Sequence, residues 1–388
     1  MLSSCDKNVT KVEVHLPAGW LCERFETSTL WFKGQVPRGG LTSLHKSLRD
    51  VIDVEIQIER HVAQLEGNFG LVLQTDETTV AVTDHCNSVP ILVGCVEEGN
   101  TYVIGASGSD MLGPLSIGPT DIAPNAALSV AMAGYTIGND TLYHAIQILS
   151  PGSVAIFRNG QPLAVSSHHP YRPWAVQNES RARLKKTLEG ELNALIERLI
   201  QAANGRAIVV PLSAGLDSRF VAAGLKEFGY KDVRCFSYGL KGNHETETSR
   251  QIAQELGYDW TFVPYSIRRQ RDVFSSEDYK SFGASCDHLA GIHFEQEYPA
   301  LQELTNRKWI PQDAMVVNGQ SGDFITGNHI PSEFHQGVLP GGATDMRERV
   351  VVALVAKHFG LWESLATDEH KASVGECLKA DLPAMETE

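Results

Sequence analysis

Short apolar runs separated by polar residues dominate the first part of the chain and predict β-strands there. The runs occupy residues 69–73, 79–83, 90–95 and 101–106. Residues 153–165, SVAIFRNGQPLAV, place two more apolar runs on either side of Asn159-Gly160. That arrangement predicts a hairpin with a type I′ turn.

The pattern changes after residues 168–176, HHPYRPWAV, whose prolines indicate a linker. Leucine and isoleucine then recur at helical spacing between residues 184 and 200, which predicts an amphipathic helix. Alternating strands and helices follow at residues 207–212, 218–228, 233–237, 244–256 and 259–263. Such alternation predicts a parallel, doubly wound sheet.

A length of 388 residues is consistent with two domains, which the pattern places at residues 1–170 and 179–388. The net charge of −14 argues against a nucleic-acid partner, since phosphate backbones require a basic face. The seven cysteines include no CxxC pair, which is typical of reduced thiols. Because we find no signal peptide and no apolar run of about 18 residues, we expect a cytoplasmic protein without a membrane partner.

Residues 213–218, SAGLDS, lie between a predicted buried strand and a predicted helix. Free backbone N–H groups at a helix N-terminus, aided by the helix dipole, can hold phosphate oxygens. Ser213 and Ser218 can donate hydroxyl groups to the same oxygens. Asp217 is explained if the loop also holds Mg²⁺, which takes one or two carboxylates together with phosphate oxygens. The alternative is a helix cap after a glycine turn.

At this loop the chain resembles the asparagine synthase (glutamine-hydrolysing) family, whose synthetase domain carries an SGGxDS loop. Arg219, directly after it, is similar to a branch of asparagine synthase-related proteins often associated with surface-polysaccharide genes. Further segments resemble the family in the same order along the chain: Leu65–Phe69, Thr83–Pro90, Thr141–Tyr143 with Leu149–Gly152, Phe236–Gly239, Glu247–Arg250 and Asn318–Asp323.

The resemblance implies an α/β protein with an α+β N-terminal domain of the N-terminal-nucleophile type. It implies a C-terminal doubly wound parallel sheet of the PP-loop (adenine-nucleotide α-hydrolase) type. The cofactors that it implies are ATP and Mg²⁺. The corresponding ATP-binding positions are Leu212, Ser213, Ala214, Gly215, Asp217, Ser218, Tyr238, Asn318 and Gly319, and the metal ligands are Asp217 and Asp323.

Several positions depart from the family pattern. Leu2 stands where a glutaminase of this kind has its cysteine nucleophile, and Cys5 could serve only after processing. The glutamine-holding segments are missing, and only Lys33–Val36 resembles one of them, so we expect an inactive glutaminase-like domain. Ala214 replaces the second glycine of the loop, and alanine fits there only if its φ is negative. Phe324 replaces an acidic residue.

The chain also ends about 60 residues after Gly327, where the family continues with a helical segment that supplies a lysine. We therefore expect that the chain is a fragment, or that this function is lost or relocated.

Glu247, Arg250, Asp287 and His288 are the candidates for an acceptor pocket. Two alternatives stay open for these residues. Arg250 could simply pair with Glu247 on an exposed helix face. Cys286, His288, His293 and Glu295 could form a metal centre, although the two histidines are five residues apart rather than four.

The expected function is an ATP-dependent, AMP-forming amide synthetase that activates a small carboxylate as an acyl-adenylate. The carboxylate would be a sugar acid or an amino acid, and the nitrogen would come from ammonia or an amine. One alternative is an intramolecular synthetase of the β-lactam synthetase or lasso-peptide cyclase kind. Another is a non-catalytic nucleotide-binding protein. A homodimer is compatible with each of these functions.

Overall fold

The computed structural model describes residues 8–17, 19–37, 39–96, 100–170, 178–331, 334 and 343–382. Its strands are β1 (Lys11–His15), β2 (Leu21–Phe25), β3 (Ser28–Gly34), β4 (Phe69–Thr75), β5 (Thr78–Thr83), β6 (Leu92–Val96), β7 (Thr101–Gly105), β8 (Ile146–Ile148), β9 (Ser153–Arg158), β10 (Ala164–Ser167), β11 (Ile208–Pro211), β12 (Val233–Gly239), β13 (Asp259–Pro264) and β14 (Met315–Val316). Its α-helices are α1 (Gly40–Arg49), α2 (Glu55–Val62), α3 (Gly108–Met111), α4 (Pro124–Ala133), α5 (Arg181–Ala203), α6 (Leu216–Glu227), α7 (His244–Leu256), α8 (Ile267–Phe274), α9 (Glu277–Cys286), α10 (Tyr298–Asn306), α11 (Gly322–Ile325), α12 (Ala343–His358) and α13 (Asp368–Asp381).

These elements form two compact units that do not follow a single cut in the sequence. The first unit contains the described residues of Met1–Arg172, Phe282–His293 and Val338–Glu388, and the second contains those of Pro173–Ser281 and Phe294–Gly337. The predicted domains, 1–170 and 179–388, therefore differ from the units in two segments. The reason is apolar packing, because α12 and α13 bury Val351, Val355 and Val374 against Met132 of α4.

The first unit is built around two sheets. The larger sheet has the order β10-β9-β5-β4-β3-β2, and the smaller has the order β1-β7-β6-β8. Neighbouring strands are antiparallel except β1 and β7, which are parallel. One apolar cluster lies between the sheets, and a second lies between the larger sheet and helices α1 and α2. This layered arrangement agrees with the expected α+β domain.

The strand β4 shows how its sequence fills both clusters. Leu71 and Leu73 point to the helices α1 and α2, whereas Val72 points to the other sheet. Side chains alternate between the two faces of a strand, and both faces of this one are covered. The strand is therefore continuously apolar, which is why sequence pattern alone identifies it.

The predicted type I′ turn at Asn159-Gly160 is wrong, although the hairpin itself is confirmed. Ile156 pairs with Ala164, so the connection is longer than two residues. A type I′ turn needs positive φ at both central residues, and only Gly160 has it, with φ of 75°. The connection instead exchanges backbone hydrogen bonds with Val9, at 2.8 Å each.

The second unit is a parallel sheet of order β13-β12-β11-β14. Helices α5, α6 and α7 contribute to the apolar cluster on one face, and α10 contributes to the cluster on the other. In β11, Ile208 and Val210 face the first cluster and Val209 faces the second. Helices on both faces confirm the doubly wound sheet and the α/β fold class.

No helix in the described part of the chain combines the length and apolar character needed to cross a membrane.

Candidate nucleotide site

Two loops of the second unit begin where two neighbouring strands end. The strand β11 pairs in parallel with β12 on one side and with β14 on the other. The chain passes from β11 to β12 and β13, and only later returns to place β14 beside β11. Ligands of doubly wound sheets bind at such a reversal, outside the carboxyl ends of the strands. The loops that follow β11 and β14 are residues 213–218 and 318–323.

The hydroxyl groups of the first loop hold it in shape. The backbone N–H of Ser213 donates to Ser218 Oγ at 3.1 Å, and the two hydroxyl oxygens are 3.0 Å apart. The N–H of Gly215 donates to Ser213 Oγ at 3.1 Å. Ser218 is buried. Both serines therefore close the loop, besides any contact with a ligand.

The helix α6 starts directly from this loop with its N-terminus open. Gly215 is the N-cap residue, and no side chain caps the helix. The first N–H groups of a helix have no partner within it, so those of Leu216 and the next residues remain available to an anion. Ala214 is not among the residues with positive φ, which meets the condition for replacing a glycine.

The second loop lies directly against the first. A Cβ atom on Gly319 would come within 2.4 Å of the backbone nitrogen of Ser218. A Cβ atom on Gly322 would come within 2.1 Å of Asp217 Oδ1. Only glycine permits this approach, so the carboxylate of Asp217 rests on the backbone next to Asp323. Since consecutive Cα atoms are 3.8 Å apart, it lies within about 7.5 Å of the Cα atom of Asp323.

The two aspartates have few protein partners. Among the described residues, the carboxylate of Asp217 has neither a hydrogen bond nor an ion pair, and it lies in the first turn of α6. Oδ1 of Asp323 accepts a hydrogen bond from Asn328 Nδ2 at 3.3 Å. Carboxylate oxygens beside an anion site are the donors that Mg²⁺ takes. The residue types and their neighbourhood therefore fit the predicted metal site.

Ser237 and Ser249 lie in family-like segments but were not predicted as site residues, and they fix the base of the loop. The N–H of Leu212 donates to the carbonyl of Phe236 at 2.8 Å. The hydroxyl of Ser237 donates to the carbonyl of Leu212 at 2.7 Å and is 2.6 Å from Ser249 Oγ. Ser237 and Ser249 are both buried. Two serines facing an otherwise apolar core were the available signal, because buried hydroxyl groups need partners.

Tyr238 stands near the carboxyl end of β12, as the predicted nucleotide contact requires. Its ring stacks on Tyr265 with centroids 5.1 Å apart. Burial, with Glu297 and Glu245 nearby, raises the pKa of Tyr238 to about 12. The phenol therefore stays protonated at neutral pH and can donate a hydrogen bond. Gly239 follows with φ of 126° and turns the chain away from the strand.

The acceptor-pocket candidates are divided between the two units, with Glu247 and Arg250 in the second unit. Arg250 Nη2 and Glu247 Oε1 are 2.6 Å apart on the exposed face of α7. They form the simple ion pair that the sequence left open. Asp287 and His288 belong to the first unit. There the carbonyl of Asp287 accepts from Gly108 N–H at 2.8 Å, and His288 Nδ1 is 2.8 Å from the carbonyl of Ala106.

The alternative metal centre at Cys286, His288, His293 and Glu295 finds no support. Within the described ranges, no three His, Cys, Asp or Glu side chains are grouped so that they could hold a metal ion. The predicted Mg²⁺ site does not depend on such a group, because Mg²⁺ typically uses one or two carboxylates and completes its shell with phosphate oxygens and water.

Solved structures that are similar to this chain come from two kinds of enzyme. Glutamine phosphoribosylpyrophosphate amidotransferase from B. subtilis, complexed with ADP and GMP, is 14% identical, with 70% of this chain and 78% of that chain covered and a TM-score of 0.24. An allosteric regulatory enzyme of purine biosynthesis is 11% identical, with 73% and 80% covered and a TM-score of 0.26. NH3-dependent NAD synthetase from Campylobacter jejuni is 11% identical, with 52% and 99% covered and a TM-score of 0.27. TM-scores this low do not establish a shared fold or function with the present chain.

No curated protein matches the chain. The asparagine synthase family matches over residues 194–274. This segment runs from α5 through the 213–218 loop to the end of α8, so it contains the first loop of the candidate site. The second unit therefore contains a segment that matches the asparagine synthase family.

Proposed function

We propose that the second unit binds MgATP and activates a carboxylate substrate as an acyl-adenylate, so that the protein is an AMP-forming amide synthetase. One observation carries the proposal. Two loops that are distant in sequence meet at the reversal point of the sheet, with Gly319 and Gly322 pressed against Asp217 and Ser218. A nucleotide polyphosphate suits this place, because free helix N–H groups and carboxylates for a cation lie side by side.

The first step of the proposed reaction is transfer of the AMP moiety. A carboxylate oxygen of the substrate attacks the α-phosphorus of ATP, and the bond from that phosphorus to the bridging oxygen breaks. Pyrophosphate leaves with the electron pair. The N–H groups at the start of α6 and the Ser213 and Ser218 hydroxyls would hold the pyrophosphate oxygens. Preorganised donors of this kind stabilise charge that develops in the transition state.

Asp217 and Asp323 would hold Mg²⁺. The bound cation would neutralise charge on the leaving pyrophosphate. Both carboxylates are fixed by their loops, Asp217 by the first turn of α6 and Asp323 by α11. Leu212, Tyr238, Asn318 and Gly319 would contact the adenosine part of ATP, since they lie at the ends of β11, β12 and β14.

The second step forms the amide. Ammonia or an amine attacks the acyl carbon, AMP leaves from that carbon, and the nitrogen loses a proton. The acceptor would be a small carboxylate, a sugar acid or an amino acid. We propose ammonia or an amine rather than glutamine as the donor, because the chain lacks the segments that hold glutamine in the related glutaminases. Leu2, which occupies the position of the glutaminase nucleophile, and Cys5 both lie outside the described residues.

A second candidate function is nucleotide binding without turnover. Phe324 stands where the resemblance predicts an acid, and its side chain is 57% exposed at the start of the second loop's helix. A site that has lost a charged group can keep its affinity and lose its chemistry. An intramolecular amide synthetase would use the same nucleotide contacts, so product analysis rather than binding separates these functions.

Product analysis tests the proposal. The protein is incubated with MgATP, ammonia and a panel of sugar acids and amino acids, and nucleotides are separated by chromatography. Carboxylate-dependent release of AMP with equimolar pyrophosphate is the expected result, and Asp217→Asn should abolish it. Asp259→Asn, at the amino end of β13 in the same sheet, is the matched control and should leave release unchanged. Release of ADP, or of no nucleotide product although ATP binds, would overturn the synthetase assignment.

A further inference from the structure

Arg219 is the first residue after the 213–218 loop, and its guanidinium turns back toward that loop. Nη2 donates to the carbonyl oxygen of Ala214 at 3.0 Å. Nε is buried and has no hydrogen-bond partner among the described residues. No carboxylate in the described part of the chain lies within ion-pair distance of this guanidinium. Within the part of the chain that the structure describes, the guanidinium is therefore held in place by a carbonyl alone.

The contact with Ala214 determines which way the loop faces. In a planar trans peptide the C=O and N–H groups point in opposite directions. By holding the carbonyl of Ala214, Arg219 also directs the following N–H, that of Gly215, which donates to Ser213 Oγ. A carbonyl turned instead toward the start of α6 would repel an anion. The guanidinium thus fixes the orientation of this peptide group, and with it the hydrogen bond from Gly215 to Ser213 that closes the loop.

The charge has a second effect on what the loop can bind. A partly buried charge is costly unless it is paired, and a polyphosphate beside the loop would supply the missing negative charge. Asp217 acts in the opposite direction, because its carboxylate repels phosphate until a cation is bound. Residues two apart on a helix do not face each other, so Arg219 and Asp217 do not neutralise one another.

We propose that Arg219 is a positioning residue of this site, which holds the loop in its anion-binding shape and makes the site prefer a polyphosphate over the bare nucleoside. The inference rests on the proposed function, since it assumes that the loop binds the phosphates of ATP. It adds a residue outside the 213–218 loop and states what that residue selects for.

Calorimetric titration with three probes, MgATP, inorganic pyrophosphate with Mg²⁺, and adenosine, tests this role. Arg219→Met should weaken binding of MgATP and pyrophosphate by about tenfold or more, because a charged hydrogen-bond donor is lost. Adenosine affinity should stay within about twofold. Arg219→Lys retains the charge and should recover part of the loss. A residue that merely supported the fold would lower the affinities for adenosine and ATP together.

Arg206→Met is the matched control. Arg206 also donates to backbone carbonyls, those of Ala202 and Ala203 at 2.7 and 2.9 Å. It precedes β11 and so lies at the amino end of this strand, away from the loop that follows the carboxyl end. The Arg206→Met variant should leave the affinities for MgATP, pyrophosphate and adenosine unchanged. Equal affinities of Arg219→Met and the unaltered chain for MgATP would overturn the inference, and so would parallel losses for ATP and adenosine. If the unaltered chain binds no MgATP, the proposed function fails, and the inference fails with it.

Discussion

Both units contain segments that resemble the same family, but they use the polar groups of those segments differently. In the first unit the polar groups are hydrogen-bonded to one another. In the second unit such groups surround an open helix N-terminus, and among the described residues the carboxylate of Asp217 has no hydrogen-bond or ion-pair partner. The difference distinguishes a segment kept for architecture from one that is free to bind a ligand.

Asp84 shows the first situation. Its buried carboxylate accepts from the backbone N–H of Phe69 at 2.8 Å, of Cys86 at 2.7 Å and of Ser88 at 3.2 Å. The neighbouring hydroxyl of Thr83 donates to the carbonyl of Ser150 at 2.6 Å. These contacts join the three family-like segments of the first unit. They leave little capacity for a substrate.

Asp217 shows the second situation. Its carboxylate touches the backbone of Gly322 but has no hydrogen bond or ion pair among the described residues. An unpaired carboxylate that is held rigidly is costly to the fold unless it faces solvent or a cation. A motif match by itself did not separate these cases, whereas the hydrogen-bond partners did.

The largest expected effect is on the first unit, from Asp84→Ala. Removing the acceptor of one buried and two part-buried N–H groups should lower the free energy of unfolding by about 3 kcal/mol, because hydrogen bonds to a charged group are strong and an orphaned buried donor costs about 1–3 kcal/mol. Hydrogen exchange followed by mass spectrometry would report it as lost protection in peptides that cover residues 65–90. Unchanged exchange there would show that the segments are not held together by Asp84.

A smaller effect is expected in the second unit from Gly322→Ala. The added methyl would collide with the Asp217 carboxylate, so the loops must separate, at about 1–3 kcal/mol. We expect a loss of MgATP affinity of roughly 10- to 100-fold. Gly190→Ala in α5 is the control, because a Cβ atom there meets nothing within 4 Å. An affinity equal to that of the unaltered chain would mean that contact between the loops is not needed.

The smallest effect is expected from acid, and it should be confined to the first unit. Burial lowers the pKa values of His85, His168 and His45. The rings of His85 and His169 stack 3.8 Å apart, so the neighbouring histidines oppose a charge on His85, while Asp84 favours it. Asp84, Glu59 and the Thr83 carbonyl oppose the lowering at His168.

The sign follows from proton binding. With folded pKa values below the unfolded value near 6.5, the unfolded state binds more protons as the pH falls through 6.5. Stability is therefore complete above this pH and decreases below it. We expect hydrogen exchange in the first unit, compared at equal intrinsic rates, to rise between pH 7.5 and about pH 5.5, with a weaker dependence in His85→Gln. A pH dependence that is unaltered in this variant would contradict the assignment.

Much of this arrangement could be predicted from the sequence. The strands and helices between residues 207 and 264 are confirmed, because buried parallel strands are continuously apolar and their helices are amphipathic. The convergence of the 213–218 and 318–323 loops followed from the strand order that such folds adopt. Sequence could not show that α12 and α13 pack on α4, because apolar helix faces do not specify a distant partner.

The geometry of individual turns and polar contacts was also beyond the pattern. Asn159-Gly160 has the composition of a tight turn, but pairing with Val9 favours a wider connection. The roles of Ser237 and Ser249 depend on hydrogen bonds across three elements. The metal and nucleotide contacts at Asp217, Asp323 and the adenosine positions stay predictions.

The central claim is that one cation is shared by Asp217 and Asp323 when ATP binds. A double-mutant cycle tests it, with ATP dissociation constants measured at saturating Mg²⁺ for the unaltered chain, Asp217→Asn, Asp323→Asn and the double variant. Each single variant should weaken binding by about tenfold. The double variant should be little weaker than either single one, because the shared cation is already lost. Single variants that bind ATP like the unaltered chain, or effects that multiply in the double variant, would contradict the account.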